Sequence, residues 1–392
     1  MTDWMQEEDK HVLPTYEKFP FVLEKGQGCF VWDDKGNRYL DLYGGHAVAL
    51  LGHCPEEVAE AVSQQSRRLL FYSNLVYHRA RAEAAKALVE LCGQPGSQVF
   101  FCNSGAEANE NAMKVARAVT GRDTIIATNG SFHGRTAGAM AATGNPKYKK
   151  HPAGLGSDVI HIPFGDLAAA KAAIGPDTAG VLLEPIQSMA GALTPSKEYL
   201  QGLEKLCRDA GALLIFDEVQ TGLGRVGARS AGDAFGVHPH LQTFAKALGS
   251  GVPAAAVLAD KETSKKVKSG DLGSTFGGGP LACAAVHATL LEISRRKLWE
   301  NAAKMEDLIR KTFTFPEIKE IRGKGLLLGI VLHESSKAVR QALLAKKILV
   351  GGADDPAVIR LLPPLTVNEA EIGMLRDALA EIFAAKPVAG AA

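Results

Sequence analysis

The sequence is poor in the features that mark several classes of protein. Its six cysteines, Cys29, Cys54, Cys92, Cys102, Cys207 and Cys283, are scattered singly. There is no CxxC pair and no Cys/His cluster with zinc spacing, so a zinc module and a disulfide framework are both disfavoured. The pattern reads as reduced thiols in a cytoplasmic protein. Lysine and arginine total 44 against 43 acidic residues, a net charge of +1, and no excess of charge points to nucleic acid or an anionic membrane. No apolar run approaches the ~18 residues that span a bilayer. The N-terminal MTDWMQEEDK is acidic and polar and does not read as a signal peptide. The phosphate-loop pattern GxxxxGK[ST] is missing. So is a GxGxxG after the first strand, which makes a nicotinamide-dependent enzyme a poor reading. Internal repeats and low-complexity linkers are absent too.

What is there is the profile of a globular protein: 392 residues, 46% hydrophobic and 22% charged, long enough for a large core and two domains. Residues 1–20 read as an arm punctuated by Pro14 and Pro20, and FVWDDKGNRYLDL (30–42) as two short strands around a turn. Helical spacing runs over 55–70, 81–92, 106–119 and 196–211, the last two stopped by Gly121 and Gly211. Strands are expected at 98–102, 124–128, 158–163, 181–185 and 212–219. This alternation predicts a mostly parallel sheet covered by helices. Beyond about residue 280 one long helical stretch to 313, strands at 325–332 and 357–362 and a helix at 368–385 suggest a smaller α+β domain. The tail KPVAGAA reads as disordered.

In a parallel sheet, ligands bind beyond the carboxyl ends of the strands, so the loops there carry the chemistry. The stretch LLIFDEVQTG (213–222) poses the sharpest question, because four apolar residues run straight into Asp217 and Glu218. An unpaired charge beside a core costs several kcal/mol, so Asp217 needs a cationic partner. For Glu218 a salt bridge to a neighbouring arginine is the simplest expectation. Glu184 likewise ends the run VLLE. After QVFFC comes NSGAEAN, whose Asn103, Ser104 and Gly105 suit either a plain helix cap or a phosphate cradle. NGSFHGRTAG (129–138) sets Arg135 in a polar loop where it could grip a carboxylate. In TFAKALGSGVP (243–253), Lys246 lies among apolar neighbours that disfavour its ammonium form. Taken alone, it could equally be a lysine that snorkels to solvent. GDLGSTFGGGP (270–280) is one more loop able to bind an anion.

One cofactor uses this whole set. Pyridoxal 5'-phosphate needs a lysine amine to bond its aldehyde, an acid to hold its ring nitrogen protonated, and a phosphate cup. Asp217 then has its cation, the ring N–H.

With those residues in view, the chain resembles the class III aminotransferases. The blocks are NSGAEANENAMKVAR, SFHGRTAGAMAATGNPKY, EPIQ, LLIFDEVQTGLGRVG, TFAKALGSGVP, GSTFGGGPLACAA and RGKGLLLGI, in the expected order over roughly residues 14–385. The resemblance implies a fold-type I architecture, α/β, with a mostly parallel seven-stranded sheet in a large domain and a smaller α+β domain. The implied division is 1–49, an arm and hairpin packing with the small domain; 50–279, the cofactor-binding domain; and 280–392, the small domain. It implies a cytoplasmic homodimer with shared active sites. Lys246 would bond the cofactor and shuttle the proton. Asp217 would pair with the ring nitrogen and Gln220 approach the ring hydroxyl. Phe132 and Val219 would pack the two ring faces, and Ser104, Gly105 and Ala106 would hold the phosphate. Thr275 would reach the phosphate of the cofactor in the other subunit. Arg135 and Arg360 would grip the carboxylates of 2-oxoglutarate, with Ser274 beside Arg135.

The resemblance is strongest to members that move an amino group from an N-acylated ornithine to 2-oxoglutarate. It leaves open succinylornithine, a carrier-linked lysine precursor, 4-aminobutyrate or ornithine as donors. Two departures bear on that choice. The family commonly has a glutamate two residues after EPIQ, thought to neutralise the arginine matching Arg360, and here Met189 stands in its place. Gly45 stands where the enzymes acting on free ornithine carry a tyrosine.

Overall fold

The computed structural model describes residues 2–149 and 158–385. Seven strands form the central sheet, in spatial order Gln98–Cys102, Ala255–Ala259, Leu241–Phe244, Leu213–Asp217, Thr178–Leu183, Thr124–Thr128 and Val159–Ile162. Neighbouring strands pair in parallel except Ala255–Ala259, which is antiparallel to both of its neighbours. Every residue of Thr178–Leu183, Leu213–Asp217, Leu241–Phe244 and Ala255–Ala259 is buried. That is why these strands read as continuous apolar runs rather than alternating ones.

Local signals set the helices around the sheet. Gly105–Thr120 begins at Ser104, whose hydroxyl accepts the Glu107 amide, and ends at Gly121 with φ of 68°. Lys197–Ala210 is capped by Ser196 and stopped by Gly211 at φ 66°. Glycine takes the left-handed position at a helix end without steric penalty. The amphipathic Lys197–Ala210 buries Tyr199, Leu200, Leu203 and Cys207, which pack with Val181, Leu183, Leu214 and Phe216 of the sheet.

Two four-stranded sheets flank this unit. One joins Leu23–Gln27, Phe30–Asp33 and Arg38–Asp41 to Ile348–Leu349, which pairs in parallel with Leu40 and Asp41. The other contains Ile318–Lys324, Leu327–Leu332, Val358–Leu361 and Gly351–Gly352.

Several expectations need correction. The arm at 1–20 contains a helix, Trp4–His11, started by Asp3, whose carboxylate accepts the Met5 and Gln6 amides. The expected single helix from 280 is two, Pro280–Arg296 and Leu298–Thr312, broken at Lys297 with φ of 46°. Strands Leu23–Gln27, Leu241–Phe244, Ala255–Ala259 and Ile318–Lys324 and the helix Lys337–Ala345 were not foreseen. The tail KPVAGAA lies outside the described residues.

Candidate active site

The carboxyl ends of the parallel strands converge on a cavity of about 340 Å³. Its lining includes Ser104, Gly105, Ala106, Phe132, Asp217, Val219, Gln220 and Lys246, eight of the residues expected from sequence. Asn103, Asn109, His133 and Glu184 also line it.

Lys246 follows the strand Leu241–Phe244 and opens a single 3-10 turn, Lys246–Gly249, with its own φ at 44°. A left-handed backbone costs a residue with a Cβ about 1–2 kcal/mol, strain of the kind found where geometry matters more than stability. Burial pushes the Lys246 amine down to about 7, and the Arg360 charge adds to this while Asp217 and Glu184 oppose it. Near neutral pH a large share of this amine is therefore unprotonated and nucleophilic.

Asp217 has more partners than the sequence suggested. Its Oδ2 accepts a hydrogen bond from Asn109 Nδ2 at 2.7 Å and faces His133 Nδ1 at 2.8 Å. Oδ1 accepts the Val219 amide at 3.1 Å. Asn109 is itself fixed, donating to the His133 carbonyl at 2.8 Å and accepting from Thr243 Oγ1 at 2.7 Å. This network holds the carboxylate at one orientation in the cavity wall. Glu184 accepts the Phe132 amide at 2.8 Å, and burial raises its carboxyl to about 7.

Glu218 does not meet an arginine. Its carboxylate accepts Gln242 Nε2 at 2.6 Å and the amides of Ala231 at 2.7 Å and Gly232 at 3.4 Å. Those amides open the short helix Ala231–Phe235, whose unpaired N–H groups take the acid. Burial raises Glu218 to about 7. Its role is to tie this helix to the sheet.

The fit to pyridoxal phosphate rests on the donor set and on the space left for it. The first-turn amides of Gly105 and Ala106 have no partner within their helix, and a helix N-terminus favours an anion. Gly134, at φ 138°, lies so close that a Cβ on it would be 2.5 Å from Ala106 Cβ. A Cβ on Gly105 would be 3.1 Å from Val219 Cγ2. Small residues thus keep a cradle open between the helix start and the Asp217–Val219 strand end. Gln220 Oε1 accepts from Ser188 Oγ at 3.1 Å, and half-buried Phe132 packs edge-on to Tyr148. An amine, a fixed carboxylate, free amides and an aromatic wall match the groups of the cofactor.

The other expected residues are distributed differently. Arg360, on the strand Val358–Leu361, is 1% exposed. Its Nε donates to the Gly352 carbonyl at 2.8 Å and Nη2 to the Tyr43 hydroxyl at 2.7 Å. Nη1 meets Ser188 Oγ at 3.0 Å and Met189 Sδ at 3.1 Å. Met189 thus stands against the arginine that the family's glutamate is thought to neutralise, with a thioether in place of a carboxylate. Arg135 is exposed, its guanidinium 5.0 Å from the Tyr148 ring centre. Ser274 accepts from Asn103 Nδ2 at 3.2 Å rather than meeting Arg135. Thr275 is exposed and is not among the residues lining this cavity.

Sequence reasoning missed Asn109, His133, Tyr43, Ser188 and His46. The Tyr43 hydroxyl, accepting from Arg360, is 2.9 Å from His46 Nδ1. Only His133 carried a signal, as the histidine within the glycine-flanked loop; Asn109 looked like any polar residue on a helix.

A parallel sheet ending in a low-pKa lysine, an oriented aspartate and a phosphate-ready helix defines an enzyme built around pyridoxal phosphate. Residues 12–383 match the family model described as aminotransferase class-III. The acetylornithine aminotransferase of Methanothermobacter thermautotrophicus is 42% identical over 381 residues, 96% of this chain and 97% of the relative. That of Methanopyrus kandleri is 43% identical, over 97% and 98% of the two chains. Among solved structures, ornithine aminotransferase from Toxoplasma gondii superposes with a TM-score of 0.91 at 31% identity, over 98% of this chain and 94% of that one. Acetylornithine aminotransferase from Elizabethkingia anophelis gives 0.84 at 30% identity, over 96% and 98%. The chain belongs to the class III aminotransferase family, whose cofactor is pyridoxal 5'-phosphate.

Proposed function

We propose that this protein transfers the amino group of N-acetylornithine to 2-oxoglutarate, giving N-acetylglutamate semialdehyde and glutamate, a step toward arginine. The observation that carries the donor is the near-full-length similarity to acetylornithine aminotransferases, at 40–43% identity in the first three relatives. Gly45 supports it, since it offers no side chain to hold the free amino acid end of plain ornithine.

The bound cofactor supplies an aldehyde that accepts the amino group and a cationic ring that takes up the electron pair left on the substrate carbon. Lys246 would be the residue that holds that aldehyde when no substrate is bound, and its amine would carry the proton to and from the substrate carbon. An amine poised near neutrality suits both tasks. Asp217, oriented by Asn109 and His133, keeps the ring nitrogen protonated. Phe132 and Val219 would pack the ring faces and Gln220 would face the ring hydroxyl. The amides of Gly105 and Ala106, with Ser104 beside them, hold the phosphate. Arg135 takes the distal carboxylate of donor and acceptor, with Ser274 on the same side, and Arg360 takes the carboxylate on the reacting carbon of 2-oxoglutarate.

The same reading includes a cytoplasmic homodimer in which exposed Thr275 reaches the phosphate held by the other subunit. It divides the chain into 1–49, 50–279 and 280–392. The pairing of Ile348–Leu349 with Leu40 and Asp41 supports grouping the N-terminal hairpin with the C-terminal part.

The test mixes cofactor-loaded protein with single amino donors and follows its visible absorption. Rapid bleaching by N-acetylornithine and by glutamate, but not by ornithine or 4-aminobutyrate, is expected. Bleaching by glutamate alone would refute the donor and keep the aminotransferase.

A further inference from the structure

Arg360 is a buried cation with no anion beside it among the described residues. Its guanidinium has five N–H donors, and four acceptors meet them: the Gly352 carbonyl, the Ser188 and Tyr43 hydroxyls and the Met189 sulfur. All four are neutral. Among the described residues no carboxylate lies within 4.0 Å of it, because no ion pair of Arg360 occurs. The acids on neighbouring elements are turned elsewhere. Asp354 faces Asn145 and Lys147, Asp355 faces Arg322, and Asp41 takes the amides of Tyr43, Gly44 and Gly45 together with His53. Nor do the neighbouring ionisable groups supply a counter-charge, since burial keeps the Tyr43 hydroxyl neutral at ordinary pH and the His46 imidazole carries no negative charge there.

A second buried cation reinforces the field. Among the described residues Arg225 donates only to the carbonyls of Leu326 and Pro363, and its Nη2 has no partner. Arg360 and Arg225 both act on the Lys246 amine as positive charges.

An uncompensated buried charge is expensive, and a protein relieves it by neutralisation or by binding a counter-ion. We propose that Arg360 binds a small monovalent anion, such as chloride, whenever the substrate in the cavity has no carboxylate on its reacting carbon. One guanidinium N–H is free. A second is engaged only by the thioether of Met189, a weak acceptor on a flexible, half-buried side chain. Withdrawing that sulfur presents two donors without breaking the bonds to Gly352, Ser188 or Tyr43. When 2-oxoglutarate or glutamate binds, its own carboxylate takes the place of the ion. The anion therefore assists one half of the reaction and competes in the other. This rests on the proposed donor, whose reacting carbon is a CH₂, only for the first of those two effects.

The test begins with chlorine NMR line broadening by the cofactor-loaded protein, which needs no amino donor. Broadening that 2-oxoglutarate reverses, and that Met189→Glu weakens about fivefold or more, the lower end of ordinary coupling between ligands, is the expected result. Absence of 2-oxoglutarate-sensitive broadening in the unmodified protein would overturn the site. So would full broadening in a folded Met189→Glu protein. Should that variant not fold, the unmodified protein still decides. At constant ionic strength, replacing a bulky organic anion with chloride should raise the apparent KM for 2-oxoglutarate competitively and speed bleaching by N-acetylornithine. No chloride effect on that KM would overturn the proposal. If chloride binds and 2-oxoglutarate displaces it while N-acetylornithine fails to react, the anion site is upheld and the proposed donor falls.

Discussion

The cavity lysine should be a measurable burden on the ligand-free protein. Lys246 titrates at about 7 in the folded chain against an ordinary 10.5. Between those values the unfolded state holds a proton that the folded state lacks, so the stability of the unmodified protein rises with pH across that window. Below about 7 the full penalty applies. At about 1.4 kcal/mol per pH unit, the interval corresponds to a ceiling of ~5 kcal/mol. Lys246 is half-buried rather than sealed, and discounting for solvent screening leaves an expectation of ~2 kcal/mol or more. Lys246→Met keeps the length and removes the charge. Urea titrations of the ligand-free proteins, at one fixed protein concentration because association shifts apparent stability, should show the variant more stable at pH 7. The gap should close as pH approaches 10.5, the ordinary value. A variant no more stable than the parent at neutral pH, or a gap that does not change with pH, would refute the reasoning. The same variant should have no transaminase activity.

Four further outcomes are expected. Asp217→Asn keeps the hydrogen-bonding shape and deletes the charge, so turnover should fall about 100-fold or more while the melting temperature moves little; a variant with near-normal kcat would exclude ring-nitrogen pairing. Glu218→Ala strands the Ala231 and Gly232 amides and Gln242, at about 2–4 kcal/mol of stability. Because burial lifts Glu218 from 4.5 to about 7, the folded state holds the extra proton there, and Glu218→Gln should remove a loss of stability seen as pH rises through that window; parallel pH profiles would count against this. Gly134→Ala places a methyl 2.5 Å from Ala106 Cβ and should speed loss of the cofactor on dialysis, an effect absent if the loop simply shifts.

Much of this site was legible because charge placed at the end of an apolar strand is conspicuous. Asp217 and Glu184 stood out in that way and Lys246 as a lone charge among apolar neighbours, and the cavity contains all three. What could not be read was partnership over long sequence distances. Tyr43 and Ser188 meet Arg360 across 317 and 172 residues, and no local pattern announces such a pair. Asn109 sits on a helix rich in Asn and Glu, where its inward face is set only by packing. Glu218 was misread because a short helix start, Ser230–Gly232, supplies amides that compete with any arginine. In the fold, the strand Ala255–Ala259 has three alanines, weak strand formers that its burial between two strands overrides. The break at Lys297 involves neither glycine nor proline, so nothing in the helical spacing marks it.

The causes that set Lys246 also tie the small C-terminal sheet to the chemistry. After burial, the largest influence on the amine is Arg360, ahead of Asp217. A guanidinium on a strand of the flanking sheet therefore opposes the acid that the central sheet supplies. Were the arginine removed, Asp217 and Glu184 would act with less opposition and the amine would hold its proton to higher pH. Arg360→Met should accordingly shift upward the pH midpoint at which ligand-free protein captures pyridoxal phosphate. Met189→Glu, by placing a carboxylate against the same guanidinium, should shift it in the same direction while keeping the arginine. If Arg360 served only to grip a carboxylate, 2-oxoglutarate saturation would suffer in the first variant, but the capture midpoint would stay where it is in both. An unmoved midpoint in Arg360→Met would therefore reject the electrostatic link between the two sheets, and a rise in both variants would establish that the buried cation sets the readiness of the lysine.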